Sequence, residues 1–322
     1  MAKCNKKILI ILPKSIGGRL TTSSIIDGFK ALDFETCIFD RLKETQIPQN
    51  ISDYDFVVGY DFDAVEFCQT HNFDTKTVNY FSDVIEDAHS GKDWETYYPL
   101  LLKNNSVTFY WDRELFKKTK NKIKNLFYLP HFVNTDIYKN TKTEKVFDII
   151  FTGRLDTQYR LSSFLKLMKS LPDLKFGWFA IEKHYLDAIK RSSQEDRKLL
   201  SKAYQYFIDN EAEMAGVLNQ SKVVVNFNEQ GISSLNYRTI QSMACETFLL
   251  SDFRQEGIDY FKDNFVFYRN FDELVEKAEY YVSNNEERNK INRQIRKIIE
   301  KSFSHTVGAQ KMIEKIEEVF YA

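Results

Sequence analysis

Glycine and proline are scarce in this chain, at 11 and 5 of 322 residues, which excludes collagen-like and Pro/Gly-rich low-complexity architectures. Cysteine is equally sparse. Cys4, Cys37, Cys68 and Cys245 stand far apart with no CxxC spacing, so neither a disulfide framework nor a thiolate zinc site is expected, and buried thiols in a reducing cytoplasm are the simple reading. The five histidines also lack zinc spacing,, and no metal site is expected. Neither charge sign dominates: the net charge is −1, with 45 Lys+Arg against 46 Asp+Glu. A nucleic-acid partner is therefore not expected. No apolar run approaches the roughly 18 residues of a membrane span, which leaves peripheral association with a membrane open. The start, MAKCNKKILIILP, places lysines before an apolar run, but that run is only a strand's length and no small-residue cleavage site follows it,. GxGxxG, GxxxxGK[ST] and GxSxG are all absent,.

What is present is aromatic and periodic. Phe (27) and Tyr (18) are abundant and 43% of residues are hydrophobic, enough for one large or two ordinary domains. Short apolar runs alternate with helical periodicity. Strands are expected at Lys7–Leu12, Glu35–Phe39, Asp55–Tyr60, Lys76–Phe81, Val107–Trp111 and Leu126–Leu129, with a Gly17-Gly18 loop and a helix over 19–32 after the first. Strands separated by helices imply parallel pairing and a doubly wound sheet. A polar stretch, Asn140–Lys145, reads as a linker, and the pattern then restarts. Strands at Val146–Phe151, Leu174–Phe179, 222–227, 247–251 and Val266–Tyr268 are interleaved with helices, and a charged helical stretch covers 183–213. The expectation is two Rossmann-type domains, 1–140 and 141–302, with a final helix (303–322) whose Met312, Ile313, Ile316 and Val319 pack back on the first. In such a pair the ligand cleft is expected between the halves.

The segment 222–252, KVVVNFNEQGISSLNYRTIQSMACETFLLSD, reads as strand, loop, helix, strand,. Asn236, Tyr237, Arg238 and Gln241 fall at the helix start, with Ser233 or Ser234 placed to cap it or to meet a ligand. Four other places carry candidate chemistry. Gly17 and Gly18 let backbone approach an anion at a helix amino terminus, although a plain turn is the alternative. Arg154, in Thr152-Gly153-Arg154 at a strand end, suits phosphate oxygens. Asp83, in Tyr80-Phe81-Ser82-Asp83, is a candidate general base or a helix cap, with Glu86 and Asp87 nearby. Asp61-Phe62-Asp63 has the look of a metal-binding DxD, but helix capping is the better account. His131 follows Pro130 at a strand end and is not expected to be catalytic.

Together these pieces resemble a GT-B glycosyltransferase. Gly17-Gly18 after the first strand is similar to the loop of that fold's acceptor domain. Leu129–Asp136 resembles the "PxGVDTDxF" stretch that ends that domain, and Phe151-Thr152-Gly153-Arg154-Leu155 resembles the "FVGRL" that opens the donor domain. GISSLNYRTIQSMACETFLLSD is similar to the spore-maturation CgeB-like branch, with its "GI.S.N.R.FEAMACG.FLLTD". The resemblance implies a nucleotide-diphosphate sugar donor held by the second half, with Arg154 on the diphosphate and Ser234, Asn236, Arg238 and Gln241 facing phosphates and ribose. It implies no cofactor and a metal-independent transfer to a glycan, lipid-linked or protein acceptor. Two positions depart from the pattern: its Glu is Gln241 and its Gly is Glu246. The expected lysine partner of the "GR" turn has no clear match, with Arg160 and Lys166 as guesses. A nucleotide-sugar epimerase and a non-catalytic sugar-nucleotide-binding module remain as alternatives.

Overall fold

The computed structural model describes residues 6–43, 48, 50–82, 99, 101–103, 105–229 and 231–321. The chain divides into two compact units. The first comprises Met1–Asn134, Gln230–Tyr237 and Lys301–Ala322, and the second Thr135–Glu229 and Arg238–Glu300. The boundary thus falls at Asn134, six residues before the expected one, and a short piece, 230–237, returns to the first unit.

The first unit carries a six-stranded sheet: β1 (Lys7–Leu12), β2 (Glu35–Asp40), β3 (Phe56–Tyr60), β4 (Thr77–Phe81), β5 (Ser106–Tyr110) and β6 (Leu126–Tyr128). The order is β2-β1-β3-β4-β5-β6 and every pairing is parallel. β1 shows why the sheet is covered on both faces. Ile8 and Ile10 pack with Ile25, Ile26 and Phe29 of α1 (Ile16–Ala31) and with Met312 and Ile316 of the last helix. Leu9 and Ile11 point the other way, onto Ala64, Phe67 and Cys68 of α2 (Asp63–Thr70). Alternate residues of one strand thereby serve two cores, each large apolar side chain contributing about 1.5–3 kcal/mol of burial.

Gly17 and Gly18 are corrected from loop to helix. They lie in the first turn of α1, whose cap Ser15 accepts from the Gly18 amide at 3.3 Å. Asp61-Phe62-Asp63 is also corrected, since neither aspartate caps α2. The capping position is Phe62, Asp61 Oδ1 accepts from the Ser82 amide at 3.0 Å, and Asp63 pairs with Arg41 at 2.5 Å. After α3 (Arg113–Thr119) the described part of this unit continues to Asn134.

The second unit carries β7 (Phe147–Thr152), β8 (Phe176–Phe179), β9 (Ser221–Asn226), β10 (Phe248–Asp252) and β11 (Phe267–Tyr268), in the order β11-β10-β9-β7-β8, again all parallel. Its helices are α4 (Gln158–Ser170), α5 (Glu182–Lys190), α6 (Gln194–Ala203), α7 (Glu211–Asn219), α8 (Tyr237–Ala244), α9 (Gln255–Phe261), α10 (Phe271–Ser283) and α11 (Asn285–Ser302). The last helix, α12 (His305–Phe320), belongs to the first unit. Counted from its own first strand, one sheet runs 2-1-3-4-5-6 and the other 2-1-3-4-5, so the strand order reverses between β1 and β3 in one and between β7 and β9 in the other. Ligands bind outside the carboxyl ends of the strands at such a reversal. Among the described residues, no helix is long and apolar enough to cross a membrane.

Candidate functional site

The reversal in the second unit is flanked by the ends of β7 and β9. β7 is fully buried at Ile149, Ile150 and Phe151 and ends in Thr152-Gly153-Arg154. Gly153 has φ +120, a conformation that disfavours any side chain, and a Cβ there would lie 2.3 Å from Arg238 Nη2,. The turn is thus bare so that a guanidinium can lie against it. Arg238 donates from Nη1 to Asn226 Oδ1 at 3.2 Å, at the end of β9, and sits 5.2 Å over the Phe151 ring. Asn226 is wholly buried. Its Nδ2 donates to Thr239 Oγ1 and Ser251 Oγ, and its carbonyl accepts from Tyr268 Oη at 2.9 Å, so Arg238 is held by a fixed amide.

Two more guanidiniums stand close by. Arg160, in the first turn of α4, donates to Phe227 O at 3.1 Å and pairs with Glu229 at 2.9 Å and Asp156 at 3.2 Å. Arg154 is half-exposed and pairs with Asp156 at 3.3 Å. Arg238 makes no ion pair among the described residues. Burial, then repulsion from Arg160 and Arg154, pushes its pKa down to about 9. A guanidinium remains charged at neutral pH even so. The site therefore holds a fixed, partly desolvated cation beside two others, an arrangement suited to an anion with several oxygens,. Of the two guessed partners of the "GR" turn, the fold brings Arg160 to this cluster. Lys166 instead lies 5.3 Å over the Phe271 ring.

The remaining sequence candidates fall elsewhere. Gln241 is buried, and its Nε2 donates to Tyr138 Oη at 2.5 Å; it braces α8 against the 135–138 segment. The helix itself starts at Tyr237, so Ser234 is not on its face. In the first unit, the amides of Ile232, Ser233 and Ser234 all donate to Asp112 Oδ2, at 2.8, 3.1 and 3.2 Å. The other oxygen of Asp112 caps α3 through the Glu114 and Leu115 amides at 3.0 and 2.9 Å. These three loop amides are thus occupied by the chain's own carboxylate. Gly231 (φ +71) makes this possible, because a Cβ there would stand 2.7 Å from Asp112 Oδ2 and 2.6 Å from the Trp111 ring. Ser234 Oγ accepts from the Arg113 amide at 3.0 Å. Tyr237 Oη meets Ser24 Oγ at 2.8 Å and donates to Leu20 O at 3.0 Å. Asn236 immediately precedes α8.

His131 is buried, stacked 4.8 Å from Trp111, with Nδ1 3.1 Å from Tyr80 Oη. Burial pushes its pKa down to about 3, so it is a neutral core residue at physiological pH. Gly17 is exposed at the helix start, whereas a Cβ on Gly18 would meet Ser15, Pro13 and Tyr60 within 2.9 Å. Asp83, Glu86 and Asp87 lie outside the described residues. Among the described residues, no cluster of three or more His, Cys, Asp or Glu could hold a metal ion.

Sequence reasoning missed Asn226 and Asp112. Asn226 was legible only as a polar residue closing Val223-Val224-Val225. Asp112 was legible only as a cap before Arg113-Glu114-Leu115.

Residues 163–314 match the family model described as "Glycosyl transferase-like". No curated protein matches the chain. Solved structures similar to it include a glycosyltransferase from Rickettsia africae ESF-5, at 14% identity and TM-score 0.67, covering 98% of this chain and 99% of that one. The sucrose-phosphate synthase of Thermosynechococcus elongatus is similar at 10% identity and TM-score 0.71, with 98% and 99% covered. The HepE protein of Anabaena, solved with UDP and glucose, is similar at 10% identity and TM-score 0.64, with 97% and 100% covered. Two parallel sheets of six and five strands, matched along nearly their whole length by such structures, make this chain a GT-B α/β protein whose residues 163–314 match a glycosyl transferase-like family.

Proposed function

We propose that the chain is a glycosyltransferase that takes its sugar from a nucleotide-diphosphate donor and passes it to a glycan, lipid-linked or protein acceptor. The observation that carries this is the partly desolvated Arg238, fixed by Asn226 at the strand-order reversal with Arg154 and Arg160 beside it. In the transfer, the bond from the anomeric carbon to the diphosphate oxygen breaks, and a bond to an acceptor oxygen forms. The leaving diphosphate gains charge in the transition state. Pre-placed guanidiniums aimed at the leaving group stabilise that charge more than they stabilise the bound donor.

Because arginines supply this positive charge, activity is expected to persist in EDTA. The glycosyl transferase-like match over 163–314 and the UDP and glucose bound to the Anabaena protein agree with a nucleoside-diphosphate sugar as substrate. If the reaction inverts configuration, the sequence offers Asp83 as general base.

The test is a thermal-shift screen against UDP, GDP, CMP, ADP and dTDP sugars, followed by an assay of nucleotide release with the donor that stabilises the protein. Arg238→Ala should lower release by about 100-fold or more, the scale on which losing a positioned charge donor reads. Equal turnover by the parent and Arg238→Ala would sink the reading.

A further inference from the structure

A cavity of about 460 Å³ opens at the carboxyl ends of β10 and β11, lined by Tyr159, Asp252, Phe253, Tyr268 and Arg269. All five residues belong to the second unit. We infer that this cavity is a saccharide site that takes one pyranose ring between its exposed aromatic side chains, apart from the guanidinium cluster.

The size fits, since pockets for small ligands start near 300 Å³. The walls fit as well. Tyr159 and Phe253 are 43% and 47% exposed, and a pyranose ring presents an apolar C–H face that such rings can cover. The polar groups of the walls are the Tyr159 and Tyr268 hydroxyls, the Asp252 carboxylate and the Arg269 guanidinium. Tyr268 Oη commits its proton to Asn226 O, and Tyr159 Oη stands 3.5 Å from it. Asp252 is held by Arg254 at 2.8 Å and by the Asn228 amide at 3.3 Å, so its carboxylate is fixed in place. Ser251 Oγ also donates to it at 3.1 Å, and burial raises its pKa in spite of Arg254. Sugar hydroxyls both donate and accept along a ring edge, so they can meet either kind of wall group. At the rim, Arg269 is stacked 4.8 Å over Phe267 and is 66% exposed, so its guanidinium can turn to a hydroxyl or to an anionic substituent.

The cavity lies one strand over from the arginines, because Asn226 accepts both Tyr268 Oη through its carbonyl and Arg238 through its side chain. It does not depend on the transferase reading, since a saccharide can bind here in a chain that transfers nothing.

The experiment is saturation-transfer NMR on the full chain with methyl glucosides, N-acetylglucosamine and glucuronate at about 10 mM, a concentration that reveals millimolar binding. The expected result is transfer to ring C–H protons from at least one of these sugars, with affinity reduced about fivefold or more in Phe253→Ala or Arg269→Ala, a change of about 1 kcal/mol. Both residues are exposed, so the variants should fold, and circular dichroism checks that they do. Leu186→Ala, exposed elsewhere in the second unit, should change nothing. Absence of transfer from every sugar would overturn the inference, as would affinity unchanged in both variants. Competition by uridine that is itself lost in Phe253→Ala would overturn it in favour of a nucleobase site.

Discussion

Arg238→Met separates binding from stability. A guanidinium whose pKa is pushed down to about 9 on folding carries a cost on the order of 5 kcal/mol when wholly shut off from water. Arg238 is half-buried rather than sealed, so screening by water reduces this to about 2–3 kcal/mol. The sign follows from linkage: a cation with a depressed folded pKa carries its full cost below about 9, and the cost fades as pH rises above that,. Removing the charge at pH 7 therefore relieves a penalty. Against that stand the lost hydrogen bond to Asn226 and the lost contact with Phe151, together about 1–2 kcal/mol. Methionine keeps much of the apolar volume. The variant should thus match the parent or exceed it by about 1 kcal/mol, which is a Tm higher by about 2–4 °C. Nucleoside diphosphate should stabilise the parent by about 2.7 kcal/mol at a hundredfold excess over Kd and leave the variant unmoved. Differential scanning fluorimetry with and without UDP or GDP reads both. A ligand-free Tm lower by more than about 5 °C, or an undiminished ligand shift, would refute the reasoning.

Three further outcomes follow from named contacts. Gly153→Ala forces a side chain into φ +120 and against Arg238 Nη2; it should cost about 1–3 kcal/mol in denaturant unfolding and weaken diphosphate binding by calorimetry. Asp112→Ala strips the acceptor from the three loop amides and two helix amides; a stability loss of about 2–4 kcal/mol is expected, and a loss below about 0.5 kcal/mol would deny that the carboxylate holds the loop. His131, with its pKa pushed down to about 3, must stay neutral in the fold. Its contribution is full above about 6.5 and is lost as pH falls, amounting to about 2 kcal/mol by pH 5, so His131→Phe should flatten the acid limb of a stability–pH curve between those values.

The order of strands and helices was readable along the chain because it depends on local periodicity. Val223-Val224-Val225 and Ile8–Ile11 are short apolar runs bounded by polar turns, and each forms a strand within a residue or two of its expected bounds. Parallel pairing followed from the helices between them. Arg154 and Arg238 stood out because each closes or opens such an element. Ends of elements were less legible. Gly17 and Gly18 read as a loop because glycine disfavours helix, yet Ser15 caps a turn that includes both. Ser233 and Ser234 read as a cap, yet the helix waits until Tyr237 because Asp112, more than a hundred residues away, collects their amides.

The sequence by itself determined the alternation of strands and helices, the restart of the pattern in the second half and the presence of arginines at two strand–helix turns, since spacing along a chain is a one-dimensional property. Only the tertiary structure decided which partner each polar group would meet. It placed Asn226 under Arg238, Tyr138 against Gln241 and Asp112 in the 232–234 amides. A buried donor takes whichever acceptor the packing brings within about 3 Å, and that choice is made between residues whose distance in sequence carries no trace of it.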